Sequence, residues 1–202
     1  MELVFVRHGE TAWNAARRFQ GQSDVPLSSR GVAQAAALEG ALADLQFTHA
    51  YSSDLIRAVE TARTILRGRD VPLATDARLR EFNFGEWEGL TWNEIVARWP
   101  ELGRRLPTQA RLYEPIGGER FEHVQARVRA FLDDLRESAA ATRALVVTHA
   151  GALHAAMEVL RPEGFDPRGM VFSTASITRV AMEAGRARII SLNDVNHLDF
   201  TA

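Results

Sequence analysis

The chain has 202 residues, 46% of them hydrophobic and 25% charged, which is the profile of an ordinary soluble globular protein. Its 24 basic and 26 acidic side chains give a formal net charge of −2, which argues against a protein that coats nucleic acid. The sequence contains no cysteine, which excludes disulfide bonds, thiolate catalysis and cysteine-based zinc or iron–sulfur sites.

Neither a membrane span nor a signal peptide is predicted. No apolar run reaches the ~20 residues that cross a bilayer. The apolar residues 3–6 run directly into Arg7-His8, without the cationic start and small-residue cleavage site of a signal peptide. We therefore expect a cytoplasmic protein with a single domain over 1–202. We also expect it to bind neither membrane nor nucleic acid, and to exist as a monomer or a homodimer.

Alternating strand and helix patterns predict an α/β protein. Residues 2–6 are almost entirely apolar, which is typical of a strand buried on both faces. Ser28 and Ser53 are predicted as N-caps of the first two long helices. In chain order we predict a strand over 2–6, a helix over 29–44, a strand over 48–52, a helix over 54–67, a strand over 71–75, a short helix over 91–99, a long helix over 119–138, a strand over 144–148, a helix from 151, and strands over 176–182 and 187–192.

Two connecting segments have unusual compositions. Residues 81–90 combine two glycines with three aromatic residues, which predicts an ordered loop. Residues 100–118 contain three prolines and three glycines, and we predict that they form a lid or excursion. Three basic side chains on this excursion either meet additional substrate charges or are solvated, and they are Arg104, Arg105 and Arg111.

Two predicted strands end in a histidine that is followed by small residues. His8 follows the first strand, and His149 follows the strand over 144–148. Ligands of open α/β sheets bind outside the carboxyl ends of strands, where the winding order changes. If the two strands are parallel neighbours, both imidazoles face one crevice, and helix N-termini there favour an anion. Either histidine alone is also compatible with a structural role.

The residues around His8 carry a resemblance to a known family. The stretch from Arg7 to Thr11 resembles the signature of the histidine phosphatase superfamily, in its phosphoglycerate mutase-like branch. Further marks follow in the family's order, and they are Asn14, residues 19–28, Gly31, Gln34-Ala35, residues 52–62, residues 79–89, residues 117–119, residues 146–151, Asn193-Asp194 and His197-Leu198. The resemblance implies a three-layer sandwich with a mostly parallel central sheet flanked by helices.

The resemblance also implies a mechanism. His8 is the expected nucleophile, which forms a covalent phosphohistidine while a backbone carbonyl holds its other ring nitrogen. Glu81 is the expected general acid toward the leaving alkoxide and then the base toward water. The expected phosphate-binding residues are Arg7, Asn14, Gln20, Gly21, Arg57 and His149. With so many fixed donors, we expect neither a metal ion nor another cofactor.

Each of these assignments has a plainer alternative when the residue is taken alone. Arg57 fits a surface cation in the first turns of a helix. Glu81 fits a solvated carboxylate. Asn14 fits a helix or turn cap. An unrelated α/β protein with a chance Arg-His-Gly would leave these side chains scattered in space.

The residue after Glu81 favours a phosphatase over a mutase. The glycolytic mutases of the family place an arginine directly after this glutamate, as part of a site for the substrate carboxylate, whereas this chain has Phe82. A carboxylate needs a cationic partner of that kind. Residues 81–89 instead resemble the broad-specificity and α-ribazole phosphatase-like members. We therefore predict a phosphomonoester hydrolase for a small phosphorylated metabolite, with a phosphoglycerate mutase and a non-catalytic phospholigand-binding module as alternatives.

Overall fold

A computed structural model describes residues 1–104, 114–137, 142–166 and 170–198, which fold around a six-stranded sheet. Its strands are β1 (Glu2–Arg7), β2 (His49–Ser52), β3 (Leu73–Thr75), β4 (Arg143–Thr148), β5 (Ile177–Glu183) and β6 (Arg186–Asp194). Its helices are α1 (Ala12–Ala15), α2 (Ser29–Ala41), α3 (Ile56–Ile65), α4 (Trp92–Arg98), α5 (Phe121–Glu137) and α6 (Ala150–Leu160).

The sheet is parallel over four of its strands. The strand order is β3-β2-β4-β1-β5-β6, in which β3, β2, β4 and β1 pair in parallel. The two C-terminal strands run antiparallel, β5 against β1 and β6 against β5. Ala184 and Gly185 join them with φ of 48° and 79°, the backbone of a tight hairpin turn. The predicted mostly parallel α/β sheet is confirmed.

Helices cover both faces of the sheet, which gives three layers. Side chains of β1 alternate between the faces, with Leu3 and Phe5 in one core and Val4 and Val6 in the other. Helices α5 and α6 contribute to the first core, and α2 and α3 to the second. The alternation explains why residues 3–6 of β1 are all apolar, since each face of the strand meets a helical layer.

Ser28 caps α2 as predicted, but Ser53 does not cap α3. The Ser28 hydroxyl accepts a hydrogen bond from the Gly31 amide at 3.1 Å. Helix α3 begins at Ile56, and Asp24 Oδ1 accepts the Ile56 N–H at 2.7 Å. The predicted Ser53 cap is wrong because a carboxylate from another loop binds the helix start, and the Ser53 hydroxyl instead accepts from Leu55.

The winding of the chain reverses between β1 and β4. The chain leaving β1 continues to α2 on one face, whereas the chain leaving β4 continues to α6 on the opposite face. The two strands are neighbours, so their carboxyl ends flank a crevice at the topological switch point. The strands that precede His8 and His149 are therefore parallel neighbours, which is the arrangement that brings both imidazoles to one crevice.

The predicted lid falls partly outside the described residues. Residues Pro100–Arg104 form a 3-10 helix that packs with α4 in a small aromatic cluster around Trp87. Residues 105–113, which include Arg105 and Arg111, lie outside the described part, so the lid stays a prediction. Among the described helices, none combines the length and apolarity needed to cross a bilayer.

Candidate active site

The crevice between β1 and β4 brings the two histidines into contact. Arg7 of β1 pairs with Thr148 of β4, so the residues that follow them lie side by side. The rings of His8 and His149 are 5.0 Å apart between centroids. Both side chains are buried, with 2% and 0% of their surface exposed. The strand ends therefore create a water-poor floor that carries two imidazoles.

The hydrogen bonds of His8 fix its tautomer. Nδ1 lies 2.7 Å from the Gly9 carbonyl oxygen, which can only accept, so Nδ1 carries the proton. Nε2 accepts a hydrogen bond of 3.3 Å from Arg57 Nε, and it is therefore the ring nitrogen with the lone pair. Burial and the nearby charges of Arg57 and Arg7 hold the pKa of His8 well below 6.5. The ring is neutral at pH 7.

Arg57 is a fully buried cation in the crevice. Its Nη1 and Nη2 donate to the carbonyl oxygens of Ser23 and Gly21 at 2.8 and 2.7 Å. Burial lowers the pKa of Arg57 to about 10, which leaves it charged at neutral pH. The alternative of a surface cation is wrong for this residue. The guanidinium instead joins the nucleophile candidate to the loop over 20–23.

A carboxylate from the 81–90 loop shapes the loop over 20–23. Glu88 accepts hydrogen bonds from the amides of Gln22 and Ser23, both at 2.9 Å, and from the Ser23 hydroxyl at 2.6 Å. Gly21 has φ of +54°, and a Cβ there would overlap the Glu88 side chain. Gln20 is buried, and its Oε1 has no hydrogen-bond partner. The loop therefore presents Gln20 and Gly21 in a fixed backbone conformation.

Arg7 is fastened to the segment that precedes β5. Its Nη1 donates to the Phe172 carbonyl oxygen, whereas its buried Nε has no partner. In the same segment Ala175 has φ of +56°, and its N–H donates to the His8 carbonyl oxygen at 3.1 Å. His197 Nε2 lies 3.0 Å from the Ala175 carbonyl oxygen. The C-terminal turn thus supports the strand end that carries the candidate nucleophile.

His149 stands at the start of α6 with both ring nitrogens unused. It occupies the N-cap position of α6 without making a side-chain cap, and neither Nδ1 nor Nε2 has a hydrogen-bond partner. Burial, followed by the charges of Arg57, His8 and Arg7, holds its pKa well below 6.5. A buried imidazole without partners is costly, and an anion beside it would supply the missing acceptor.

Asn14 belongs to the capping box at the start of α1, in which Thr11 is the N-cap and Asn14 is the third helical residue. Its Oδ1 accepts from the Thr11 amide and hydroxyl at 3.1 and 3.2 Å, and Thr11 Oγ1 accepts from the Asn14 amide. This reciprocal capping box confirms the capping alternative. Because these hydrogen bonds use Oδ1 of Asn14, its side-chain donor, Nδ2, points away from Thr11.

Glu81 is a largely buried carboxylate held by backbone amides. Its Oε1 accepts from the Phe82 and Gly151 amides, both at 2.8 Å. Gly151 lies in the first turn of α6, so the positive end of the helix faces the carboxylate. A Cβ on Gly151 would overlap Oε1. With 9% of its surface exposed, Glu81 does not match the alternative of a solvated side chain.

The structure brings most of the predicted site residues together. His8 contacts Arg57 and His149, and Arg57 bonds the Gly21 carbonyl. The charge of Glu81 raises the pKa of both Arg7 and Arg57, against the lowering effect of burial. The scattered arrangement expected of an unrelated protein is therefore wrong. Within the described ranges, no three His, Asp or Glu side chains group as ligands for a metal.

Sequence reasoning missed Arg127 of α5 and gave Glu119 no role beyond the resemblance. Arg127 follows Val124 by three residues and precedes Phe131 by four, so it lies beside the apolar stripe of its helix. A charge in that position is a signal that it has a buried partner. The partners are Glu119 and the backbone just before and at Glu81.

Known proteins resemble the chain over nearly its whole length. The histidine phosphatase superfamily (branch 1) matches residues 3–195. The Arabidopsis thaliana phosphoglycerate mutase-like protein 4 is 33% identical over 203 residues, covering 99% of this chain and 88% of that protein.

Solved structures show the same likeness. The α-ribazole phosphatase from Shigella flexneri has a TM-score of 0.84 at 28% identity, covering 96% of each chain. A mycobacterial glucosyl-3-phosphoglycerate phosphatase in complex with VO3 has a TM-score of 0.85 at 32% identity, covering 96% of this chain and 99% of its own. Together with the geometry of the crevice, these matches confirm the predicted fold and the predicted kind of enzyme, and the chain belongs to the histidine phosphatase superfamily, branch 1.

Proposed function

We propose that the protein hydrolyses phosphomonoesters of small metabolites without a metal ion, through a phosphohistidine on His8. One observation carries the proposal. Among the described residues, six buried side-chain N or O atoms lack a hydrogen-bond partner, and four of them belong to Arg7, Gln20 and His149. Buried polar atoms are normally paired, so unpaired ones grouped in one crevice favour this crevice as a binding site for a polar ligand.

The charges in the crevice suit a phosphoryl group. Two guanidiniums, those of Arg7 and Arg57, stand beside two neutral imidazoles. Their free or weakly bonded donors include Arg7 Nε, Arg57 Nε and a nitrogen of His149. Phosphoryl transfer spreads charge over the equatorial oxygens, which fixed donors stabilise best in a dry site. The mycobacterial relative that complexes with VO3 supports an oxyanion as the ligand.

His8 has the electronic state of a nucleophile. When the Arg57 Nε–H donates to a phosphoryl oxygen instead of to Nε2, the Nε2 lone pair attacks phosphorus. The N–P bond forms while the P–O bond to the leaving alkoxide breaks. The proton stays on Nδ1, and its hydrogen bond to the Gly9 carbonyl oxygen stabilises the positive ring of the intermediate. Because burial keeps the ring neutral, no proton has to leave Nε2 before attack.

Glu81 supplies the proton and later removes one. Its Oε1 is bound by two backbone amides, so Oε2 is the oxygen that handles the proton. Protonated Glu81 gives its proton to the leaving alkoxide. The resulting carboxylate then takes a proton from the water that attacks phosphorus, which breaks the N–P bond and restores neutral His8.

The residues on either side of Glu81 favour water, rather than a substrate hydroxyl, as the group that accepts the phosphoryl group from His8. Phe82 is buried in the core, and the Asn83 amide donates to Glu119 at 2.9 Å. The preceding Arg80 is paired with Asp54 at 2.6 Å. In this stretch of the loop, none of the three offers an unpaired cation for the carboxylate of a phosphoglycerate.

A mutase is the second candidate, because the Arabidopsis relative is named a phosphoglycerate mutase-like protein. The two candidates differ in products. We expect the protein to release inorganic phosphate from p-nitrophenyl phosphate at the same rate with and without a chelator, with inhibition by vanadate. With a phosphoglycerate, we expect phosphate release to outpace isomer formation. Faster isomerisation contradicts the hydrolase, and binding of vanadate without turnover supports the non-catalytic module.

A further inference from the structure

We propose that Arg127, paired with Glu119, is a positioning residue that sets where Glu81 stands relative to the leaving group. The inference rests on the proposed function, since it concerns the position of the carboxyl group of the proposed general acid, Glu81. Arg127 is on α5, forty-six residues from Glu81 in sequence, and its guanidinium reaches residues 78–83, the segment called the acid loop below.

Arg127 binds the backbone on which Glu81 is mounted. Nη1 donates to the carbonyl oxygens of Arg78 and Arg80 at 2.7 and 2.6 Å. Nη2 donates to the carbonyl oxygen of Glu81 itself at 2.9 Å. Three carbonyls within four residues therefore converge on one planar cation, and this segment cannot rotate without breaking those bonds.

Glu119 completes the arrangement from the other side. Its Oε1 accepts from Arg127 Nε and its Oε2 from Arg127 Nη2, each at 3.1 Å. Oε2 also accepts the amide of Asn83 at 2.9 Å, two residues beyond Glu81. The pair thus holds the acid loop before, at and after Glu81. With 17% and 21% of the side chains exposed, the pair is well shielded from solvent.

The geometry requires a guanidinium rather than any cation. A fork of fixed N–H donors can serve two directions at once, the carboxylate of Glu119 and the three carbonyls. A lysine ammonium is a single point on a flexible stem and cannot satisfy both. The expected outcome of losing the fork is a displaced Glu81, with the crevice floor around His8 retained.

Arg69 provides a matched control near the amino ends of β2 and β3, whereas residues 78–81 follow the carboxyl end of β3. It also donates to three backbone carbonyls, those of Ile65, Leu45 and Leu42, at 3.1, 2.6 and 2.6 Å. Its guanidinium lies over the ring of Phe47, just before β2 begins. Arg69→Ala therefore removes a comparable backbone clamp without touching the acid loop.

The experiment compares two substrates in five variants. We measure kcat/KM for p-nitrophenyl phosphate, whose leaving group departs without a proton, and for glycerol phosphate, whose alkoxide needs one. The parameter kcat/KM covers every step up to departure of the leaving group, so the later hydrolysis of phosphohistidine does not affect it. The variants are Arg127→Ala, Arg127→Lys, Glu119→Gln, Glu81→Gln and Arg69→Ala, each checked for folding by thermal unfolding.

We expect Arg127→Ala to lower kcat/KM for glycerol phosphate on the order of 10²-fold and for p-nitrophenyl phosphate within about fivefold, since small misplacements of a reacting group cost that much. Arg127→Lys should show the same selectivity, and it replaces Arg127→Ala if the alanine variant does not fold. Glu119→Gln, which keeps an acceptor for Asn83, should show a smaller selective loss. Arg69→Ala should show no selectivity.

Equal losses on the two substrates in Arg127→Lys and Glu119→Gln would overturn the inference. If Glu81→Gln is still selective in that case, the proposed function stands and only the positioning role fails. If Glu81→Gln lowers both values alike, the acid role in the proposed function fails, and the inference falls with it.

Discussion

The two sides of the crevice differ in whether their polar groups have hydrogen-bond partners within the protein. On the nucleophile side, at the ends of β1 and β4, Arg7 Nε and both nitrogens of His149 have no partner. On the acid side, the Glu81 carboxylate and carbonyl accept bonds from α6, α5 and the loop itself. One side keeps donors available for a ligand, and the other keeps a single carboxylate in place.

The difference has an energetic meaning. An unpaired buried donor costs about 1–3 kcal/mol, so an anion that accepts from the donors of the nucleophile side stabilises the folded protein when it binds. The acid side is satisfied before binding and gains little from the ligand. Damage to the nucleophile side should therefore affect all substrates alike, whereas damage to the acid side should depend on the leaving group.

Removing the nucleophile should have the largest effect. His8→Ala deletes the atom that attacks phosphorus, and we expect kcat/KM to fall by at least about 10⁴-fold for both p-nitrophenyl phosphate and glycerol phosphate. We expect the fold to persist, because the bonds from Arg57 to the 20–23 loop and from the Ala175 amide to the carbonyl oxygen of residue 8 do not depend on the ring. Thermal unfolding is the control, and a folded His8→Ala enzyme with substantial activity would remove the distinction between the two sides.

Removing the buried cation should have the next largest effect. Arg57→Ala should lower kcat/KM by about 10²–10³-fold on both substrates, the usual cost of losing a preorganised donor to developing charge. Arg57→Lys should not restore activity, because an ammonium cannot bond His8 and both carbonyls of the 20–23 loop. Vanadate affinity should fall in parallel. A loss confined to poor leaving groups would place Arg57 on the acid side instead.

Replacing the general acid, Glu81, should separate the two sides of the crevice by their dependence on the leaving group. Glu81→Gln keeps an oxygen for the Phe82 and Gly151 amides but has no proton to deliver. We expect kcat/KM for glycerol phosphate to fall about 10²-fold or more, the typical contribution of a general acid, with a much smaller loss for p-nitrophenyl phosphate. Vanadate affinity in the variant measures whether the nucleophile side is still intact.

The smallest effect is on stability, and it belongs to the nucleophile side. Both histidines have folded-state pKa values well below 6.5, so the unfolded chain binds more protons at acidic pH. Their contribution to the free energy of unfolding is complete above pH 6.5 and is lost as the pH falls below it, by up to about 1.4 kcal/mol per pH unit for each ring.

Urea unfolding at a series of pH values measures this loss, and the variant His149→Asn is the comparison. The variant should have a shallower slope below pH 6.5, because one of the two depressed imidazoles is gone. Inorganic phosphate should reduce the slope in the natural protein, since a bound anion favours the protonated rings. An unchanged slope in the variant would mean that His149 titrates normally.

The sequence predicts the nucleophile side better than the acid side, for a physical reason. His8 and His149 each follow a buried strand directly, and that local pattern places both at one edge of a parallel sheet. Glu81 on the acid side follows no such local rule, and only the family resemblance predicts it. The same is true of Arg57, which is the exception on the nucleophile side. The Asn14 cap could be weighed from sequence because its partner, Thr11, is three residues away.

What sequence reasoning missed depends on approaches between distant segments. Arg127 meets the acid loop only because α5 packs beside residues 78–81. The Ser53 cap fails because Asp24, from another loop, occupies the start of α3. Spacing within one helix cannot report either contact, although a charged residue beside an apolar stripe marks where to look.

The most direct test of the account is a search for phosphate on His8. The protein is mixed with radiolabelled p-nitrophenyl phosphate, quenched in base within one turnover, digested and mapped by mass spectrometry. We predict an acid-labile phosphoryl group on the peptide that carries His8, at higher occupancy in Glu81→Gln and absent in His8→Ala. Turnover with no label on His8 in either active form would contradict the covalent mechanism.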